Sequence, residues 1–296
     1  MKFVTYKHFD CVELSTGPFQ ILATINVGPR IISLRVNGGE NLFAELFDET
    51  LASGSYHLYG GHRLWYAPED AKRTYIPDDD PVEVKEIEHG VQLVQTIEDE
   101  TGIQKEMKIQ LGEENAHVDV EHILRNLSND PVTLAPWAIT MFKPGGVALL
   151  PQNTGRTQDN ELRPNRAIAL WPYTDIHSPF IKWGNEFVLI RSNLHEGQLK
   201  IGYPNMDGWM AYWRGETLFI KRSEYIPHKR YYDFESSSEC YCAPEYIELE
   251  TLGPITELPP GESTSHKEIW ETHQIIEWTG NVSDLGELSI GDERED

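Results

Sequence analysis

Apolar and polar positions alternate with a period of two along most of the chain, the pattern of strands with one buried face. Residues 19–36 hold two such β-rich runs joined by Gly28-Pro29. In the second, Ile32, Leu34 and Val36 form one face and Ser33 and Arg35 the other, which predicts a hairpin opening a sheet. Alternating runs at 82–87, 91–97, 107–111 and 118–124 are separated by turn signals at His89-Gly90, Thr101-Gly102 and Glu113-Glu114-Asn115. A turn roughly every ten residues predicts an antiparallel meander. Further strands are expected from Val132 to the Gly145-Gly146 break, and over 187–192, 199–202, 209–213 and 218–222. Residues 40–51 suit a short helix, and 151–185, rich in Asn, Pro, Arg and Trp, read as irregular excursions over the sheet. Late in the chain Ile247 and Leu249 alternate with Glu248 and Glu250 until Gly253-Pro254. A turn at Pro259-Pro260-Gly261 then leads into a last run ending at Trp270. No linker divides this pattern, so one large domain over 1–279 is expected, followed by an acidic tail over 280–296.

The candidate chemistry sits on these elements. Glu248 and Glu250 leave one strand on the same side, a rigid platform for a general base, although solvated surface glutamates give the same pattern. Gly60-Gly61 and Pro68 bracket His62, Arg63, Trp65 and Tyr66, which are expected on a short constrained piece rather than a regular element. An imidazole, a guanidinium fork and two rings suit a polyhydroxylated ligand, the rings stacking on sugar faces while Arg and His bond hydroxyls. A buried Trp anchoring a loop, with Arg63 in an ion pair, fits the same residues. Lys143 and Lys221 each finish an apolar strand, where they can meet a hydroxyl or an anion. His117 and His122, five apart, point to opposite faces of a strand and cannot share a metal, so both read as structural or exposed. Cys240-Tyr241-Cys242 offers two thiols, too few for structural zinc; no metal or other cofactor is expected.

Composition narrows the partners. The 296 residues carry a net charge of -23, which repels phosphate backbones and anionic lipid heads, so neither nucleic acid nor membrane is an expected partner. A small ligand fits better. With 8 Trp, 13 Tyr and 10 Phe the chain has ample material for a folded core. The start of the chain reaches polar residues at once, and no segment is apolar enough to span a bilayer. Three cysteines, an odd number, suit a reducing compartment, so the cytoplasm is the expected location. A phosphate-cradling glycine loop followed by Lys-Ser/Thr, Gly-x-Gly-x-x-Gly, Gly-x-Ser-x-Gly and His-Glu-x-x-His are missing, which removes support for phosphoryl transfer, Rossmann redox chemistry and zinc proteolysis.

Leu249-Glu250-Thr251 leading into Pro260-Gly261-Glu262 and His266-x-x-x-Trp270 resembles the galactose mutarotase-like superfamily, the aldose 1-epimerases. Ala23 to Val36, with Gly28 and Ser33-Leu34, resembles that family's opening strand; Asn126 to Phe142 resembles its central Asn-x-Ser-x-x-Pro strand. The resemblance runs through most of the chain. It is greatest to a branch carrying Gly60-Gly61-His62-Arg63-Leu64-Trp65 and Glu248-Leu249-Glu250-Thr251-Leu252-Gly253-Pro254. It implies a mainly β fold, a large antiparallel β-sandwich known as the supersandwich, with a sugar site on its concave face. It also implies Glu250 as catalytic base and Arg63 as a contact for the sugar; Lys221, Lys143 and Glu248 are then expected as further sugar contacts and Trp65 or Trp137 as a stacking wall. In one place the sequence departs from the family: Trp137 stands where the family keeps its histidine general acid, and an indole N–H cannot serve as one at neutral pH. The acid is then His62 or Glu248, or the site binds sugar without epimerising it.

Overall fold

The computed structural model describes residues 1–51, 56–112, 117–155 and 164–274; the expected acidic tail over 280–296 lies outside them. Two large antiparallel sheets pack face to face. The first runs Lys2–Tyr6, Phe9–Thr16, Phe19–Thr24, Arg30–Val36, His62–Ala67, Val132–Phe142, Ile247–Leu252, Ser238–Cys242, Leu199–Tyr203 and Ala169–Leu170, with Thr256–Leu258 pairing the Val132–Phe142 strand. The second runs Ile181–Trp183, Phe187–Arg191, Val147–Pro151, Trp209–Arg214, Thr217–Arg222, Ser263–Gln274, His117–Asn126, Ile103–Leu111, Gly90–Val94 and Glu83–Ile87. This is a large antiparallel β-sandwich. Its main core lies between the sheets, where Leu64, Phe142, Leu249, Val120, Phe219 and Trp270 meet.

The hairpin within 19–36 and the meander from 83 to 126 form as the alternation predicts. Two expectations fail. Residues 40–51 hold no helix but the strand Glu45–Thr50, paired with His57–Gly60. The irregular apolar spacing there reflects a strand whose end, Asp48 to Thr50, is exposed. His62–Ala67 is not a loop piece but a regular strand, wholly buried, between Arg30–Val36 and Val132–Phe142. Gly60 and Gly61 do make the sharp entry, both at positive φ. A Cβ on either would fall 2.0 Å from the Ala44 carbonyl oxygen or 2.2 Å from that of Ile31, so only glycine fits.

The first sheet is polar on both faces at its centre. Its inner face packs on the second sheet. Its outer face carries a separate apolar cluster of Trp65, Trp137, Ile139, Met141 and Leu252, with Ala44, Leu46, Tyr56 and Leu58 from the two-stranded pair and its flanks lying over it.

Candidate functional site

Register decides what meets on the outer face. Ile139 lies opposite both Arg63 and Glu250, Glu250 lies opposite Glu239, and Met141 lies opposite Glu248. Since side chains alternate, Arg63, Trp65, Trp137, Glu239, Glu248 and Glu250 all leave the sheet on one side. Lys200, on Leu199–Tyr203 opposite Tyr241, joins them.

These groups bond one another. Lys200 Nζ sits 2.7 Å from Glu239 and 2.9 Å from Glu250. The Trp137 indole N–H donates to the same Glu250 oxygen at 2.7 Å. Arg63 donates to Glu248 at 3.1 Å and lies over the Trp65 ring at 4.3 Å. Lys200 Nζ lies 4.7 Å from the ring centres of both Trp137 and Trp171. Burial works against the Lys200 ammonium, yet Glu239 and Glu250 hold it well above the ordinary lysine value. Burial also lifts Glu248 to about 7, against the pull of Arg63, and pushes Glu239 well above the usual carboxylate range. Polar atoms remain over: Glu250 Oε1 and Arg63 Nε make no protein hydrogen bond, and neither Glu239 oxygen is in hydrogen-bond alignment despite the ion pair.

Half-buried rings surround this charged floor. Tyr75 meets Trp65 edge-on at 5.5 Å, and Tyr232 and Tyr246 pack on the same apolar cluster. Above Gly202, where a Cβ would come 2.5 Å from Ser236 Oγ, passes the segment carrying Tyr232–Glu235. Its Asp233, Phe234 and Glu235 are all left-handed, at φ 50, 59 and 67. Asp233 adds a further acid beside Glu239 and is itself raised by burial. A charged floor beneath several partly exposed aromatic rings is a surface suited to a hydroxylated ring, whose hydroxyls need polar partners and whose C–H faces need aromatic ones.

The inner face of the same strands carries a second polar cluster. Thr140 lies opposite both His62 and Leu249, so His62, one residue out of phase with Arg63, points between the sheets. The structure therefore sets His62 and Glu250 on opposite faces of one sheet. Lys221 is also internal, on Glu268 at 2.8 Å, the Leu249 carbonyl at 2.9 Å and Thr140 Oγ1 at 3.0 Å. Lys143 pairs instead with Glu45 at 3.4 Å. Of the residues expected at the site, the outer face thus gathers Glu250, Glu248, Arg63, Trp65 and Trp137.

Partners fix the tautomers inside. The His266 carbonyl accepts from His122 Nδ1–H at 3.0 Å, which leaves a lone pair on His122 Nε2 for His62 Nε2–H at 2.6 Å. His62 Nδ1 then accepts from the Thr140 hydroxyl at 2.8 Å. Burial holds His62 well below the ordinary histidine value, and His122 and His266 at about 3. His62, His122 and Glu268 place ligand atoms within 4.8 Å of one another, a set that could hold a metal ion. In this structure the imidazole lone pairs go to hydrogen bonds and Glu268 is taken up by Lys221, Thr251 and Trp270. His117, as the spacing predicts, leaves the opposite face of its strand and pairs with Asp119 at 3.0 Å. Lys200, Glu239, Asp233 and the His122 partnership carry no local sequence signal; only the strand pairing brings them into place.

Solved structures share this fold. A galactose mutarotase-like protein from Lactobacillus casei ATCC 334 superposes with a TM-score of 0.59 at 11% identity, covering 89% of this chain and 100% of that one. A galactose mutarotase-like protein from Clostridium acetobutylicum gives 0.51 at 12% identity, covering 93% and 98%. A TPR-domain containing protein from Parabacteroides distasonis ATCC 8503 gives 0.62 at 11% identity, covering 89% of this chain and 47% of that one. At the level of sequence, no family model and no curated protein matches. The fold is the galactose mutarotase-like supersandwich. Among the described residues no helix is long and apolar enough to cross a membrane.

Proposed function

We propose that the outer face binds a sugar and interconverts its anomers, with Glu250 as general base and Glu248 as general acid. One observation carries this reading: two carboxylates two positions apart on one strand have unlike surroundings. Glu250 meets an ammonium and an indole N–H, the partners of an anion, whereas burial holds Glu248 at about 7, so that near neutrality it still carries a proton to give. Glu250 takes the proton of the anomeric hydroxyl while Glu248 protonates the ring oxygen. The bond between C1 and the ring oxygen breaks, leaving an open-chain aldehyde. After rotation about C1–C2 the ring oxygen attacks either face of the carbonyl, returns its proton to Glu248, and Glu250 gives its proton back to the new anomeric hydroxyl. Both residues end as they began. Arg63 steadies Glu248, and the rings of Trp65, Trp137 and Tyr75 provide apolar wall.

The second reading is a sugar-binding protein without turnover. It is favoured by the turning of His62 away from Glu250, which leaves the imidazole expected as one candidate acid inside the sandwich. Polarimetry or NMR of freshly dissolved α-aldoses separates the two. Acceleration over buffer that disappears in Glu250→Gln and in Glu248→Gln supports the epimerase. No acceleration with any aldose, together with saturable binding, would leave the binding protein.

A further inference from the structure

Resting on the reading of the outer face as a sugar site, we propose that its sugar carries an amino group, whose ammonium seats against Glu239 and the free oxygen of Glu250. Charge is the first ground. Four carboxyl groups, Glu239, Glu248, Glu250 and Asp233, share two cations, Lys200 and Arg63, and both cations are already engaged by members of the set. The other cations that might have met an anionic sugar are engaged elsewhere, Lys221 with Glu268 inside the sandwich and Lys143 with Glu45. A phosphate or carboxylate on the ligand would face these carboxyl groups with only the Arg63 Nε left unmatched on the two cations, a poorer fit than an ammonium.

Unmatched acceptors are the second ground. Glu250 and Glu239 are fully buried, yet Glu250 Oε1 and Glu239 Oε1 lack a hydrogen bond from the protein, while Glu239 Oε2 is held by Lys200 at 2.7 Å. Buried acceptors of this kind await donors, and an ammonium brings three. The third ground is that the face already holds one ammonium in this manner. Lys200 sits between two carboxylates with two indole rings at 4.7 Å, a cage of anions and π-faces. A second ammonium on the vacant edges of the same carboxylates would repeat that chemistry. Burial lifts Glu239 and Asp233 above the usual carboxylate range, and cations nearby would bring both back down.

Isothermal titration of the full chain with glucosamine, N-acetylglucosamine, glucose and glucuronate tests this. Glucosamine is expected to bind about tenfold or more tightly than glucose, N-acetylation to erase the advantage, and glucuronate to bind weakest. In Glu239→Gln the affinity for glucosamine should drop to that for glucose; if that variant fails to fold, Asp233→Asn should narrow the same gap. Equal affinities for glucosamine and glucose, or tighter binding of glucuronate, would overturn the proposal while leaving the sugar site standing. No heat and no chemical-shift change with any of the four would overturn the sugar site as well.

Discussion

Three neighbouring strands, His62–Ala67, Val132–Phe142 and Ile247–Leu252, carry polar groups on both faces, and the two faces differ in how fully those groups are matched. On the inner face Lys221, Thr140, His62, His122 and the His266 carbonyl form an unbroken donor-to-acceptor chain, and Glu268 accepts from Lys221, Thr251 and Trp270. On the outer face Arg63 and Lys200 meet too many carboxylates, and oxygens of Glu239 and Glu250 and the Arg63 Nε are left over. Burial is similar in the two. A buried network that closes on itself has no capacity left over, whereas one with unmatched acceptors and donors keeps capacity for a further partner. The histidine that draws the eye in the sequence thus lies in the matched inner network.

If this contrast holds, the largest effect falls on the outer face: Glu250→Gln should slow anomerisation by about 10²–10⁴-fold, the usual span for a lost general base. Its urea midpoint should move little. A collapse of stability in that variant would blur the distinction between the faces. Next comes the inner face. Lys221→Met strands Glu268 in the core and should destabilise the fold by about 3–5 kcal/mol, measured by urea denaturation. Activity per folded molecule should remain, and its loss would make the inner cluster part of the site.

Acid sharpens the comparison because the two faces respond with opposite sign. His122 and His266 titrate at about 3 when folded against an ordinary 6.5, so between those values the unfolded chain binds more protons. Stability should therefore fall as pH drops, by about 2 kcal/mol per imidazole from pH 6.5 to 5. Glu248, raised from 4.5 to about 7, binds more protons when folded, so its contribution is lost as pH rises through that window. Urea titrations across pH should show the acid loss shrinking in His122→Gln and deepening in Glu248→Gln. The smallest effect is expected from Glu239→Gln. Lys200 keeps Glu250 as its partner in that variant, so stability should change by no more than about 1 kcal/mol, read from thermal midpoints.

Much of the architecture was legible in the period of two. The hairpin, the meander and the shared face of Glu248 and Glu250 follow from alternation alone. The site was legible only in part. Gly60-Gly61 and Pro68 around His62 suggested a loop, and a loop has no parity. As a strand, the same residues put His62 and Arg63 on opposite faces. Lys200, in Leu199-Lys200-Ile201, has the look of an ordinary solvent-facing lysine, and its burial comes from partners 39 and 50 positions later in the chain. His122 met His62 rather than His117, a pairing of two sheets that local spacing cannot encode.

Charged groups packed against both faces of the Ile247–Leu252 strand also guard its alignment. In most sheets a strand shifted by one residue merely trades oily for polar contacts. Here such a shift would drive Glu248 and Glu250 into the sandwich against Thr140 and the Lys221 niche, while Leu249 faced Arg63 and Lys200. Both layers would reject the error at once, so the residues proposed to meet a sugar also serve as a proofreading device for the fold.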